Sequence, residues 1–218
     1  MRKLLLRLID NKNQEKPCWR GPVLKRGLAF FVVIPILAIS FSSRVEATPL
    51  PASCPSLVTL VGYVERFSRP AEPFPVALAI GHALIRASRQ SGLPLYLLVA
   101  VAQEESSFNP GAVNNGSQDY GLFQIHYPFW QKFFRKREGQ DYRGIRRKDL
   151  MEVDVNARMA ADILSYDLRL SGGDVVEMLG RYSGRTGVAH ETYVRHILRY
   201  SLEFKHFEGD GAGTCPGS

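Results

Sequence analysis

The sequence predicts a single, mainly helical domain with a loop-rich or small β-hairpin segment at a cleft. Three observations lead there. Apolar residues recur at helical spacing in several stretches, as with Leu78, Ile80, Ala83, Leu84 and Ala87 between Val76 and Arg89. Glycine and proline punctuate those stretches, and nothing between them reads as a long alternating strand. With 218 residues, 45% hydrophobic and 22% charged, the chain has enough apolar material for one core.

The elements follow in chain order. Residues 1–47 are expected to be a signal peptide with a long basic leader. Basic residues ending in Lys25 and Arg26 precede the apolar run Gly27–Phe41, and Val45-Glu46-Ala47 suits cleavage after Ala47. Pro35 interrupts that run, which is short for a bilayer span, so cleavage is favoured over a retained membrane anchor. This segment holds 9 of the 28 Lys+Arg and 3 of the 21 Asp+Glu, so the formal charge of +7 falls to +1 beyond it. The remainder is therefore no polycation, and export to the periplasm or cell envelope is the expectation.

Residues 48–74 read as a proline-rich extension, marked by Pro49, Pro51, Pro55, Pro70 and Pro73, with a short helix at Leu57–Phe67. The main domain is expected over 75–207. Its helices are Val76 to Arg89, ended by Gly92-Leu93-Pro94; Pro94 to about Glu105; Asp154 to Leu170; Asp174 to Arg181; and Glu191 to Phe204. Residues 208–218 form a glycine-rich tail expected to be flexible. Removal of the leader discards Cys18 and leaves Cys54 and Cys215, an even pair near the two ends, expected to form a disulfide outside the cytosol.

The chemistry lies between Val99 and Ile125. A hydrophobic helix runs into Gln103-Glu104-Glu105-Ser106-Ser107-Phe108-Asn109-Pro110, followed by Gly121-Leu122-Phe123-Gln124-Ile125. A glutamate on an apolar helix beside a cleft holds its proton to higher pH, because burial disfavours the anion. Leu98, Val101 and Glu105 share one helical face, but Leu97 and Glu104 are related in the same way, so periodicity leaves the choice of glutamate open.

These motifs resemble the lytic transglycosylases of the soluble, lysozyme-like superfamily. Its pattern is a Glu-Ser pair at a helix end, Phe-Asn-Pro-x-Ala, and Gly-Leu-Met-Gln-Ile, here with Phe123 for the methionine. Asp154-Val155-Asn156 and Tyr182-Ser183-Gly184 continue the likeness, although Ser183 stands where the family usually has asparagine. The resemblance covers roughly residues 75–205 and implies a lysozyme-like fold. It also singles out Glu105, the glutamate directly before Ser106.

The implied reaction breaks the β-1,4 bond between N-acetylmuramic acid and N-acetylglucosamine in peptidoglycan. Glu105 protonates the bridging oxygen, the acetamido group stabilises the positive charge, and the Glu105 carboxylate then deprotonates the C6 hydroxyl to close a 1,6-anhydro ring. Ser106, Gln124 and Tyr182 fall on substrate-binding positions, with Tyr182 a candidate orienter of Glu105 or of the acetamido group. Packing for Gln124 and Tyr182, and a backbone cap for Ser106, are the competing readings.

Gly116–Ile125 also resembles the active-site hairpin of animal-type lysozymes, in which Asp119 would be a second carboxylate and water the acceptor. Alternatively, Asp119 is a turn residue bonding its own backbone. The secretion- and conjugation-associated transglycosylases keep this aspartate too. A non-catalytic peptidoglycan-binding or secretion-apparatus accessory protein is the reading of another class. Between Lys132 and Lys148 eight basic residues face only Glu138 and Asp141, with Phe133, Phe134 and Tyr142 interleaved. In an exported protein this suggests a solvated loop, or a wall-facing or partner-facing surface, rather than nucleic-acid binding. The five histidines show no metal-ligand spacing, His126 reads as a cleft wall, and no phosphate-binding glycine loop is present, so neither metal nor cofactor is expected. The expected partners are peptidoglycan strands and a secretion, conjugation or pilus apparatus, engaged by a monomer.

Overall fold

The computed structural model describes residues 57–135, 142 and 144–211. The expected signal peptide, its apolar run and the proposed Cys54–Cys215 disulfide all lie outside these residues. Among the described residues there are seven α-helices: α1 (Leu57–Phe67), α2 (Phe74–Ser91), α3 (Leu95–Ser106), α4 (Tyr127–Arg135), α5 (Val153–Leu170), α6 (Val175–Ser183) and α7 (Gly187–Gly211). A three-stranded antiparallel sheet of two-residue strands, β1 (Val113–Asn114), β2 (Asp119–Tyr120) and β3 (Ile125–His126), lies between α3 and α4, and a 3₁₀ turn (Arg147–Met151) precedes α5. No helix among the described residues is long and apolar enough to cross a membrane.

The centre of the fold is α3. Its residues Leu97–Gln103 are all buried, as suits a helix whose sequence is apolar on every side. The long helix α7 packs along it, α2 packs on α5, and α5 on α6. Helix boundaries follow local chemistry. Pro75 opens α2 where its missing N–H costs nothing, and Gly92, at φ 71°, closes it by returning its N–H to the Ser88 carbonyl. Asp174 caps α6 by accepting the Val176 and Glu177 amides at 2.9 and 3.3 Å.

The structure moves two expected boundaries. Helix α1 is a core element and not part of an extension ahead of the domain: Leu60, Tyr63 and Val64 are fully buried. The Tyr63 ring meets Phe67, Phe204, Phe207 and Phe108 at centroid distances of 4.5, 5.0, 5.3 and 6.1 Å, and its hydroxyl donates to Gln103 Oε1 at 2.7 Å. The first and last described helices thus close over the same aromatic cluster. At the other end, α7 continues to Gly211, so the tail expected from residue 208 starts inside a helix.

The basic segment also differs from a solvated loop. It begins within α4 and ends in the 3₁₀ turn. Between them Tyr142 is buried, donates to Asp162 Oδ2 at 2.6 Å and lies under the Arg158 guanidinium, 5.4 Å from its centroid. Lys132, Arg146, Arg147 and Lys148 remain exposed.

Candidate active site

Glu105 lies in the last turn of α3, where the helix emerges from the core. The chain leaves it through Ser107 and Phe108, both at positive φ (51° and 62°), a conformation that costs non-glycine residues roughly 1–3 kcal/mol each. Burial of the Phe108 ring against Tyr63, and the Ser107 N–H bonded back to Ala102 and Gln103, hold this exit in place.

The Gly121–Ile125 motif lies opposite, at the end of the small sheet. Gly121 (φ 78°) must be glycine, since an added Cβ would collide with the Leu150 carbonyl and the Asn156 amide. Asn156 is fully buried and clamps the motif. Its Oδ1 accepts from Phe123 N at 2.8 Å, and its Nδ2 donates to Tyr120 O at 2.9 Å and Leu150 O at 2.8 Å. Leu122 and Phe123 are fully buried beneath it.

The three residues expected to bind substrate all gather around this motif, and all spend their hydrogens on backbone. Ser106 Oγ donates to Leu122 O at 2.7 Å, tying α3 to the loop. Tyr182 donates to Phe123 O at 2.8 Å. Gln124, at φ 46°, donates from Nε2 to Gly121 O at 2.9 Å and Ala112 O at 3.1 Å. Tyr182 is therefore not the hydrogen-bonding orienter of Glu105.

That role falls to Tyr193, inside the stretch Glu191–Phe204 expected to be helical. It is fully buried on α7, and its hydroxyl donates to Glu105 Oε1 at 2.6 Å. The link spans 88 positions in the chain, so no local pattern betrays it.

Burial pushes the Glu105 carboxyl up to about 7, outweighing the Tyr193 hydrogen bond and the Arg185 cation, which favour the anion, while Glu104 and Asp119 add to the rise. At neutral pH about half of the molecules then hold the proton, against roughly one in 300 for an ordinary glutamate at 4.5. Glu104, which sequence periodicity could not separate from Glu105, instead turns to Arg185 and His196.

Asp119 sits on β2, opposite His126 of β3. Its Oδ2 accepts from Ser117 Oγ, and its Oδ1 lies 2.9 Å from His126 Nδ1. It thus bonds neighbouring side chains and not its own backbone, and its charge reaches Glu105. His126, expected as a cleft wall, is its hydrogen-bond partner.

A helical domain with one proton-holding glutamate at the end of a buried helix, faced by a small antiparallel sheet carrying an aspartate, has the lysozyme-like architecture. The chain belongs to the Transglycosylase SLT domain family, whose model matches residues 82–192. It is similar to Protein IpgF of Shigella flexneri, with 48% identity over 44 residues, 19% of this chain and 29% of that protein. It is also similar to Lysozyme C of Penaeus merguiensis, with 41% identity over 64 residues (28% of this chain, 39% of that one). Lysozyme P of Drosophila melanogaster is 42% identical over 57 residues, 23% of this chain and 40% of its own. The chain thus spans less than half the length of each of these relatives. No solved structure matches it at the same significance.

Proposed function

We propose that this protein is a peptidoglycan lytic transglycosylase that cleaves the N-acetylmuramic acid–N-acetylglucosamine bond through Glu105. The observation that carries the reading is the state of Glu105, a carboxyl raised to about 7 by burial and held by the Tyr193 hydroxyl at the position where the matched family's motifs converge. A group poised near neutral pH can both give and take a proton, which the reaction requires in succession.

In the first step the Glu105 proton passes to the bridging oxygen as the C1–O bond breaks, and the substrate's acetamido oxygen stabilises C1. In the second, the Glu105 carboxylate takes the proton of the C6 hydroxyl while that oxygen bonds to C1. The enzyme ends protonated as it began, with no water consumed. Tyr193 fixes the carboxyl orientation through both steps. Ser106, Asn156, Gln124 and Tyr182 act indirectly, holding the Gly121–Ile125 backbone that walls the cleft.

A second reading, hydrolysis with water as acceptor, is favoured by Asp119. Held by Ser117 Oγ and His126 Nδ1, its carboxyl group lies close enough to Glu105 to raise that acid, which gives the site the pair of carboxyl groups that hydrolysis uses. The similarity to two proteins named lysozymes points the same way.

Export to the periplasm or cell envelope, supported by the apolar run Gly27–Phe41 before Val45-Glu46-Ala47, would bring the enzyme to its polymer. Local opening of the wall for a secretion, conjugation or pilus apparatus is the role that the resemblance to such members supports. The test of turnover is release of soluble fragments from purified sacculi by the wild type and by Glu105→Gln. Release by the wild type alone is expected; release by neither would favour a wall-binding accessory protein, and release by both would remove Glu105 from the chemistry.

A further inference from the structure

A second cluster of charge stands directly behind the acid. The Glu104 side chain is only 12% exposed, yet its carboxylate lies 3.0 Å from His196 Nδ1 and 3.4 Å from Arg185 Nη1. The Arg185 guanidinium in turn lies on the Tyr193 ring, 4.6 Å from its centroid, and Tyr193 is the residue that donates to Glu105. Even the backbone of Arg185 is fixed, since its N–H reaches Ser183 Oγ at 3.3 Å. That contact gives Ser183, which departs from the family's asparagine, a local use.

We infer that Glu104 is a positioning residue of the site: it holds the Arg185 guanidinium on the Tyr193 ring and cancels that cation's charge beside Glu105. The inference rests on Glu105 being the acid.

An arginine next to a catalytic acid is a liability. A cation favours the carboxylate and would strip the proton that the first step needs. The geometry nevertheless places one there, because a guanidinium over the Tyr193 face stabilises the ring that carries the orienting hydroxyl. Glu104 resolves the conflict by supplying an anion in contact with that guanidinium. The groups that face Glu105 are Tyr193 from α7, Arg185 from the α6–α7 connection, Glu104 from its own helix, Asp119 from β2 and Tyr182 from α6. Arg185 is the cation among them; Glu104 and Asp119 oppose it.

Two charge-removing substitutions should therefore act with opposite sign. Glu104→Gln keeps the shape and hydrogen-bonding reach of the side chain but loses the anion, so Glu105 should release its proton at lower pH. Arg185→Gln removes the cation, and Glu105 should hold its proton to higher pH.

The readout is the titration of the Glu105 side-chain carboxyl by ¹³C NMR in the purified full chain, assigned by loss of the signal in Glu105→Gln. A midpoint near about 7 is expected in the wild type, lower in Glu104→Gln and higher in Arg185→Gln. Midpoints that stay put in both variants, or move in the same direction, would overturn the inference. Should Glu104→Gln not fold, Arg185→Gln decides alone, because its side chain is 41% exposed and its loss opens no core cavity. A rise supports the inference, and a fall or no change refutes it. The measurement needs no turnover. Opposite shifts in a protein that fails to cut sacculi would sink the proposed function and leave the charge coupling standing, whereas cutting with unmoved midpoints would do the reverse.

Discussion

Replacing Glu105 by glutamine should make the folded protein more stable in alkaline solution and leave it nearly unchanged in acid. The folded carboxyl titrates near about 7, against 4.5 for the free side chain, chiefly because burial penalises its charge. The native state therefore binds more protons than the unfolded chain between those two values. Stability is fully present below the unfolded value, falls as pH rises, and is lost through the folded value. The gap between these two values corresponds to roughly 3 kcal/mol above pH 7. Glutamine has the shape of the protonated acid and still offers Tyr193 an oxygen, so it escapes this cost. Urea unfolding followed by circular dichroism should show the variant matching the wild type near pH 4 and exceeding it by about 3 kcal/mol near pH 8. All other titrating groups are common to both proteins and cancel in the difference. A variant no more stable than the wild type at pH 8 would refute the view that Glu105 is held protonated by burial.

Other expectations test the surrounding frame. Asn156→Ala removes three buried hydrogen bonds, to the Phe123 N–H and to the Tyr120 and Leu150 carbonyls, and should cost about 3 kcal/mol or more in urea unfolding. Gly121→Ala should be at least as damaging, since its Cβ has no room against the Leu150 backbone; either change should also abolish release of sacculus fragments. Tyr193→Phe removes a hydrogen bond that favours the Glu105 carboxylate, so the alkaline limb of the kcat/KM profile should move to higher pH while kcat falls through loss of orientation. A limb that moves to lower pH would contradict the assigned sign.

The helical class was legible because the apolar residues of α2, α3 and α5 repeat at the spacing their burial demands. Glu105 could be singled out from Glu104 because its neighbours, Ser106 and the Gly121–Ile125 motif, sit close in sequence and form a recognisable pattern. Less local features were not. Helix α1 sits among prolines and reads as part of a linker; tertiary contacts make it core, among them those of Tyr63 with Phe204 and Phe207, some 140 positions away. Tyr193 reaches Glu105, and His196 reaches Glu104, across about ninety residues, which no periodicity can announce. Ser106, Gln124 and Tyr182 were recognisable as motif residues, but whether their hydrogens face the cleft or the backbone depends on three-dimensional placement alone. The helix Tyr127–Arg135 was masked by the basic and aromatic composition of the segment it begins.

The most direct test of the central claim is digestion of purified sacculi in ¹⁸O-enriched water, with mass spectrometry of the released fragments. Intramolecular closure by the C6 hydroxyl predicts 1,6-anhydro ends without label, absent in Glu105→Gln. Reducing ends carrying one ¹⁸O would contradict the transglycosylase account and give Asp119 the second catalytic role.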